Sequence, residues 1–341
     1  MMDNLLRVVA LASLAPLSAA EKADLYGAAA PATLLPRHRR DWDYCTANLC
    51  GGAERLGALL DAGDLRELGP EGADRINDAV RAYGVVVIKG QNLTRAEQVK
   101  FTRLLGEPVA LAKSFYGKDP EPNQPSILRV TNFWANGTWK GTSHKFGDYW
   151  HQDGQFWDAP KPVWKSTSEP KHNMLSIVHA QQVPPRGGET GFVDMRAARA
   201  TLSAPLLKRA AKAAIHASVR EIKDFRGGDE EDFAMFPKVA VHPLLANHYV
   251  DSGPLLYVGS PHMKVHGLET PEAGKRLLNM LLAHATSPAF QYFHAWEAGD
   301  VVVWDNSQTL HQSMPYDNDG HARREYYRSQ ARIRPPAVAE L

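Results

Sequence analysis

Short runs of β-branched residues between turn-forming residues constrain the fold of this chain more than any other feature of its sequence. The clearest are GVVVIKG at 84–90 and AGDVVVWDN at 298–306. Apolar runs of this length bounded by glycine are typical of buried strands. Further strand candidates lie at 126–134, 173–183 and 323–333, and as a pair around 238–260. Strands dominate the second half, which predicts a mainly β fold with a sandwich or barrel core and flanking helices.

Four segments have the apolar spacing of helices, and they lie at 74–83, 93–106, 197–214 and 270–286. In the second segment, Thr94 and Glu97 form the sequence pattern of a capping box. In the last, Thr270 is the expected N-cap and Pro271 occupies the first helical position, where proline is tolerated.

Composition narrows the functional class. The chain has 341 residues, enough for one large domain or two modest ones, and a net charge of +1. This balance gives no indication of nucleic acid or an anionic membrane surface as a partner. No run of 18 apolar residues occurs, which argues against a membrane-spanning helix. We therefore expect neither nucleic acid nor a membrane as partner, while a homo-oligomer stays open.

The N-terminal region looks different from the rest. Residues 1–20 contain one arginine, an apolar stretch and small residues, a pattern similar to a short signal sequence. An amphipathic helix or an unstructured leader is the somewhat favoured alternative, so a cytoplasmic and an organellar location both stay open. Cys45 and Cys50 are interpreted as free thiols, because two cysteines make neither a zinc site nor a disulfide scaffold. Residues 1–52 are thus predicted to be a leader or N-terminal extension, and 53–336 one domain.

The stretch WHQDGQFW at 150–157 contains the first chemically suggestive pair. His151 and Asp153 are two residues apart, so on a strand both side chains would project from the same face. They could bind one metal ion or simply hydrogen bond. Trp150, Phe156 and Trp157 are expected to belong mainly to the core.

A second histidine and several arginines follow near the C-terminus. His311 comes shortly after the predicted strand at 298–306, and Arg323, Arg324 and Arg328 follow it. Two histidines and one carboxylate on one face of a metal ion leave three positions open, as in the facial triad of non-haem Fe(II) oxygenases. A chelating oxoacid and O2 can fill those positions, and arginine is suited to hold the far carboxylate of the oxoacid.

At this point the sequence resembles a known family, the taurine dioxygenase-like (TauD/TfdA) Fe(II)/2-oxoglutarate-dependent dioxygenases. The resemblance extends over roughly residues 55–334. It is carried by four segments: GVVVIKGQNLTRAEQVKFTRLLGEP, WHQD, PRGGETGFVDM, and WDN followed by His311. The fold that it implies is a double-stranded β-helix, a cupin-like jelly roll, with the iron between its two sheets.

The resemblance also implies roles for single residues. His151, Asp153 and His311 correspond to the metal ligands, and Thr190 and Arg324 to the residues that bind 2-oxoglutarate. Arg323 would replace Arg324 if the alignment slipped by one position.

Arg328 corresponds to a second arginine near cosubstrate and substrate. If the segment is a strand, Arg324 and Arg328 face the same side. A second buried cation needs its own anion, so we expect an acidic substrate. His262 stands where a taurine-specific enzyme would place an aromatic residue, and it could add a hydrogen bond to the substrate. About a dozen extra residues near 163–175 suggest an insertion.

The sequence thus predicts a dioxygenase that uses Fe(II), 2-oxoglutarate and O2 to oxidise an unactivated C–H bond of a small, acidic or amino-acid-derived substrate. The outcome would be hydroxylation, desaturation or cyclisation, with release of succinate and CO2. Two alternatives are a non-catalytic binding protein that keeps the fold and a zinc hydrolase with a His2Asp site. The complete triad and the paired arginines argue against the first, and the second does not explain the Thr190 and Arg324 matches.

Overall fold

The computed structural model describes residues 56–110, 124–141, 147–156, 174–218, 220, 239–249, 251 and 253–333. Its strands are β1 (Ala58–Leu59), β2 (Val85–Ile88), β3 (Gly106–Pro108), β4 (Leu128–Thr131), β5 (Met174–Gln182), β6 (Thr190–Asp194), β7 (Ala214–Ala217), β8 (Ala240–Pro243), β9 (Leu245–Asn247), β10 (Pro254–Leu256), β11 (Lys264–His266), β12 (Gln291–His294), β13 (Val301–Asp305), β14 (Thr309–Ser313) and β15 (Glu325–Ile333). Its helices are α1 (Pro70–Tyr83), α2 (Arg95–Leu105), α3 (Met195–Ala200), α4 (Ala204–Ala210) and α5 (Pro271–Ala285), with a 3-10 turn at Pro288–Phe290.

Two of the four sheets in the described chain face each other and hold the predicted site. The larger has seven strands in the order β1-β2-β13-β5-β15-β3, with β4 also paired to β15. The smaller has the order β12-β6-β14. Phe192 of β6 and Tyr292 of β12 pack against Val178, Trp304 and apolar neighbours on the larger sheet. The two sheets therefore enclose a common core, as the predicted jelly roll requires, and this mainly β architecture with few helices confirms the expected fold class.

The strands predicted from β-branched runs are present. The run 85–88 is completely buried because β2 lies inside the larger sheet and pairs with β13. On its outer face lie α1 and α2, whose apolar residues pack against Val86, Ile88 and Val303. The α2 capping box is formed as expected, since Thr94 accepts a hydrogen bond from the Glu97 backbone and Glu97 accepts one from Thr94.

The predicted helix at 197–214 was wrong in its extent. Helix α3 ends at Ala200, α4 begins at Ala204, and the chain then enters β7. Pro205 has no backbone N–H and its ring clashes with the preceding turn, so one helix cannot run through it. Residues from 214 are drawn into a sheet, because β7 pairs with β8 on one side and β11 on the other.

Strands are present at both ends of the pair predicted around 238–260, but the first of them, β8, does not pair with β10. Strand β10 pairs with β9, whereas β8 pairs with β7. None of the described helices is both long and apolar enough to cross a membrane. The predicted leader at 1–52 lies outside the described residues, as does the predicted insertion at 163–175 apart from its last two residues, which begin β5.

Candidate active site

The two histidines of the predicted triad lie side by side across one backbone bridge. His311 lies on β14, and His151 forms an isolated antiparallel bridge with it. The His151 N–H donates to the His311 carbonyl at 3.0 Å, and the His311 N–H donates to the His151 carbonyl at 2.8 Å. This pairing brings the ring centroids to 4.2 Å. These two backbone hydrogen bonds thus hold the two imidazoles next to each other.

Asp153 completes the cluster. Its Oδ1 lies 3.8 Å from Nε2 of His151, and its Oδ2 lies 3.7 Å from Nε2 of His311. One potential ligand atom from each residue lies within 4.8 Å of the others, and no other such cluster of three occurs in the described part of the chain. Two donor atoms that each lie about 2.0–2.2 Å from one ion can be at most about 4.4 Å apart, and both distances from Asp153 are below this limit.

The charge state of the cluster suits a divalent cation. Burial disfavours ionisation of Asp153, but nearby positive charge, chiefly the Arg328 guanidinium, outweighs it and holds the pKa of this carboxyl well below its usual range. Burial lowers the pKa of His311 well below its ordinary value, and His151 acts in the same direction. An ionised carboxylate beside a neutral imidazole is the form in which these side chains ligate metals.

The tautomer of His151 is also fixed. Its Nδ1 lies 2.7 Å from the carbonyl oxygen of Tyr149, so Nδ1 carries the proton and donates it. The lone pair is then on Nε2, which faces Asp153. In His311, Nδ1 is buried and has no partner among the described residues. The site thus fits a metal that takes two imidazole nitrogens and one carboxylate oxygen.

Beside the triad lies a cavity of ≈ 60 Å³. It is lined by Val130, Gly147, His151, Val178, Thr190, Trp296, Trp304, His311, Ser313, Arg324, Tyr326 and Arg328. Thr190, at the start of β6, accepts a hydrogen bond from Trp296 Nε1 at 3.0 Å. Since the indole can only donate, the Thr190 hydroxyl keeps its own proton for another acceptor. Arg324 is buried, with its guanidinium 4.4 Å from the Tyr326 ring centroid.

The structure distinguishes the three arginines. Arg324 lines the cavity, whereas Arg323 forms an ion pair with Glu325 at 3.1 Å and is absent from the lining. Arg328 also lines the cavity, but its Nη1 lies 2.9 Å from Oδ2 of Asp153. The anion that Arg328 was expected to need is therefore present in the protein itself, and the argument for an acidic substrate cannot rest on this arginine alone.

His262 is not part of the cavity lining. Its ring meets the Tyr149 ring edge-on at 4.9 Å, and Tyr149 in turn lies 5.0 Å from the His151 ring. One aromatic ring therefore separates it from His151 of the triad. Trp150 is buried in the core, as expected, and Phe156 packs against the same cluster. Trp157 lies outside the described residues.

Several polar residues of this site were not predicted from the sequence. Ser176 and Gln330 both bond to Oδ2 of Asp153, and Asn306 accepts from its backbone N–H at 3.2 Å. Gln330 could have been found, because it is two residues after Arg328 on one strand and so shares its face. Ser176 and Trp296 have no local signal, since strand pairing and packing alone bring them to the site.

The fold and site together define a class of protein, a jelly-roll enzyme with a facial triad of two histidines and one aspartate beside an arginine-lined cavity. The profile described as "Taurine catabolism dioxygenase TauD, TfdA family" matches residues 48–330. The chain belongs to this family. It is a 2-oxoglutarate-dependent dioxygenase, an oxidoreductase that uses 2-oxoglutarate and O2 and acts on a small molecule.

Individual relatives agree with this assignment. The alpha-ketoglutarate-dependent 2,4-dichlorophenoxyacetate dioxygenase of Cupriavidus pinatubonensis is 31% identical over 296 residues, covering 81% of this chain and 96% of the relative. A solved structure of AAD-2 in complex with Mn(II) and N-oxalylglycine is 26% identical, with a TM-score of 0.66 over 84% of this chain and 97% of the other. The solved structure of a taurine dioxygenase from Burkholderia xenovorans is 26% identical, with a TM-score of 0.63, and the match covers 82% of this chain and 87% of the other. The comparisons do not support a binding protein or a zinc hydrolase.

Proposed function

We propose that this enzyme binds Fe(II) through His151, Asp153 and His311, and binds 2-oxoglutarate through Thr190 and Arg324. The observation that carries the proposal is that both histidines of the triad line the same cavity as these two cosubstrate residues, with Asp153 clustered beside them. Iron with 2-oxoglutarate and O2 supplies the oxidation of an unactivated C–H bond, with release of succinate and CO2. The protein supplies binding, orientation and exclusion of water.

Each cosubstrate residue contributes a different interaction. The planar fork of Arg324 matches a carboxylate bidentately, and its stacking on Tyr326 restricts the orientation of the fork. Because Trp296 already donates to the Thr190 hydroxyl, that hydroxyl is oriented to donate to the same carboxylate. The distal carboxylate of 2-oxoglutarate would therefore lie between these two side chains, away from water.

For the substrate, we propose a small acid, oxidised by hydroxylation, desaturation or cyclisation. A relative named for 2,4-dichlorophenoxyacetate supports this class. The charge balance of the buried site also supports an acidic substrate. A divalent ion and Arg328 together carry more positive charge than Asp153 and a chelating carboxylate can neutralise, and burying the excess is costly. The anionic group of a substrate would offset it, even though Arg328 is paired with Asp153.

The test compares two histidine variants of the full chain under anaerobic conditions. His311→Ala should lose Fe(II) binding and substrate-coupled succinate formation. His266→Ala, exposed on β11, should keep both. The substrates to screen are aryloxyalkanoates, amino acids and other small carboxylates, with neutral isosteres of each. Full iron binding in His311→Ala would remove the triad from the proposal, and a preference for neutral compounds would refute the acidic substrate.

A further inference from the structure

One oxygen of Asp153 is surrounded by hydrogen-bond donors and the other is not. Oδ2 receives Arg328 Nη1 at 2.9 Å, Gln330 Nε2 at 3.0 Å and Ser176 Oγ at 3.1 Å. No hydrogen bond from the described residues falls on Oδ1. A carboxylate oxygen has about two lone pairs to offer, so three donors saturate Oδ2 and leave Oδ1 available.

The donors to Oδ2 are themselves held in place. Gln330 Nε2 also lies 3.2 Å from Ser176 Oγ, and Asn306 Nδ2 donates to that same hydroxyl oxygen at 2.9 Å. Asn306 Oδ1 accepts from the Asp153 N–H and from Trp304 Nε1. All of these polar side chains are buried. In a buried and connected network of this kind, rotation of the Asp153 carboxylate would break several hydrogen bonds at once.

We propose that Gln330 and Ser176 are positioning residues that, together with Arg328, restrict Asp153 to binding the metal through Oδ1 alone. This proposal rests on the function proposed above. The consequence concerns the number of coordination positions on the metal that stay open to the cosubstrate and O2. An octahedral ion with three single-atom protein ligands keeps three positions, which are enough for a chelating oxoacid and O2. If Oδ2 also bound, only two would be left.

The substitution Gln330→Met tests this, because methionine has nearly the length of glutamine and no N–H donor. The matched control is Gln98→Met. Gln98 is equally buried and donates to Tyr327 and Ser329 of the same strand, but it does not contact Asp153. Mn(II) alone is the probe, titrated against the full chain and followed by the EPR signal of the free ion.

Gln330→Met should weaken Mn(II) binding by about 10–100-fold, the usual cost of losing a partner of a metal ligand. It should also change the EPR line shape of the bound ion, because the carboxylate is free to bind through both oxygens. Gln98→Met should leave affinity and line shape as in the wild type. Ser176→Ala removes another donor to Asp153 and should change Mn(II) affinity and line shape in the same direction. It replaces Gln330→Met if that variant does not fold.

Two failures can be told apart. If the wild type binds Mn(II) no more tightly than His311→Ala, the triad is not a metal site, and the proposed function fails together with this inference. If the wild type binds normally but both glutamine variants shift affinity equally, only the positioning role is refuted. Loss of strand packing would then explain both variants.

Discussion

At the scale of single residues, neighbouring arginines have different environments. The Arg324 side chain is buried and lines the cavity together with Thr190 and Tyr326. Arg323, one position earlier, is about a third exposed, pairs with Glu325 and stacks on Phe133. Adjacent residues in an extended chain point to opposite sides, so only one of the two can reach a cosubstrate in the cavity.

We therefore expect Arg324→Lys to raise the KM for 2-oxoglutarate. A lysine ammonium retains the charge but cannot reproduce the two parallel hydrogen bonds of the guanidinium. Weakening a buried charge-assisted pair costs on the order of 2–4 kcal/mol. Steady-state succinate formation at varied 2-oxoglutarate measures the effect. Arg323→Lys is the control and should leave the KM within about twofold; a defect in this variant alone would identify Arg323 as the anchor.

At the scale of elements, helix α5 lies so close to strand β11 that one helical position must be glycine. A Cβ built on Gly274 would collide with the carbonyl oxygen of Val265. Alanine is ordinarily favoured over glycine in a helix by about 1 kcal/mol. Here the backbone approach reverses that preference, because the obstacle is main chain and cannot rotate away.

Gly274→Ala is accordingly expected to destabilise the protein by about 1–3 kcal/mol, the usual range for overpacking. Urea unfolding followed by circular dichroism measures this change. The control is Gly72→Ala in the first turn of α1, where the added Cβ would meet only the flexible Leu68 side chain. That variant should be neutral or slightly stabilised, and a stabilised Gly274→Ala would contradict the close approach.

At the scale of the whole molecule, a buried ionic cluster joins the two sheets. Asp300 Oδ2 accepts hydrogen bonds from His294 of β12 at 3.0 Å and from Lys89, just after β2, at 3.1 Å. Burial disfavours the charged carboxylate, but the hydrogen bonds from His294 and the Glu297 backbone outweigh it and lower the pKa of Asp300. The cluster therefore stabilises the fold only while Asp300 is ionised.

The sign of the pH dependence follows from this lowered pKa. Stability from Asp300 is fully present above its ordinary pKa of 3.8 and is lost as the pH falls through the folded value. Asp300→Asn should cost about 1–3 kcal/mol of unfolding free energy near neutral pH. The difference from the wild type should shrink below about pH 4. Urea titrations across this range measure it. Asp74→Asn, exposed on α1, should change stability by less than about 0.5 kcal/mol at any pH.

Much of this protein could be predicted from the sequence, because the decisive signals were local. The buried strands at 85–88 and 301–305 follow from β-branched runs, and the start of α2 follows from its capping box. The triad could be nominated because metal ligation requires specific residue types, although the expected reason for the His151 and Asp153 pair was different, since Asp153 lies in a turn and not on a strand. Arg324 and Thr190 could be nominated only through the resemblance to a family.

The tertiary structure decided what depends on contacts between distant segments. The predicted helix at 197–214 was wrong because β7 is stabilised by pairing with β8 and β11, which lie far away in the sequence. The same reason applies to the network around Asp153, since Ser176 and Gln330 meet only where β5 pairs with β15. Local pattern determines which segments become strands, but their pairing determines which polar side chains meet, and hence the anion that Arg328 binds.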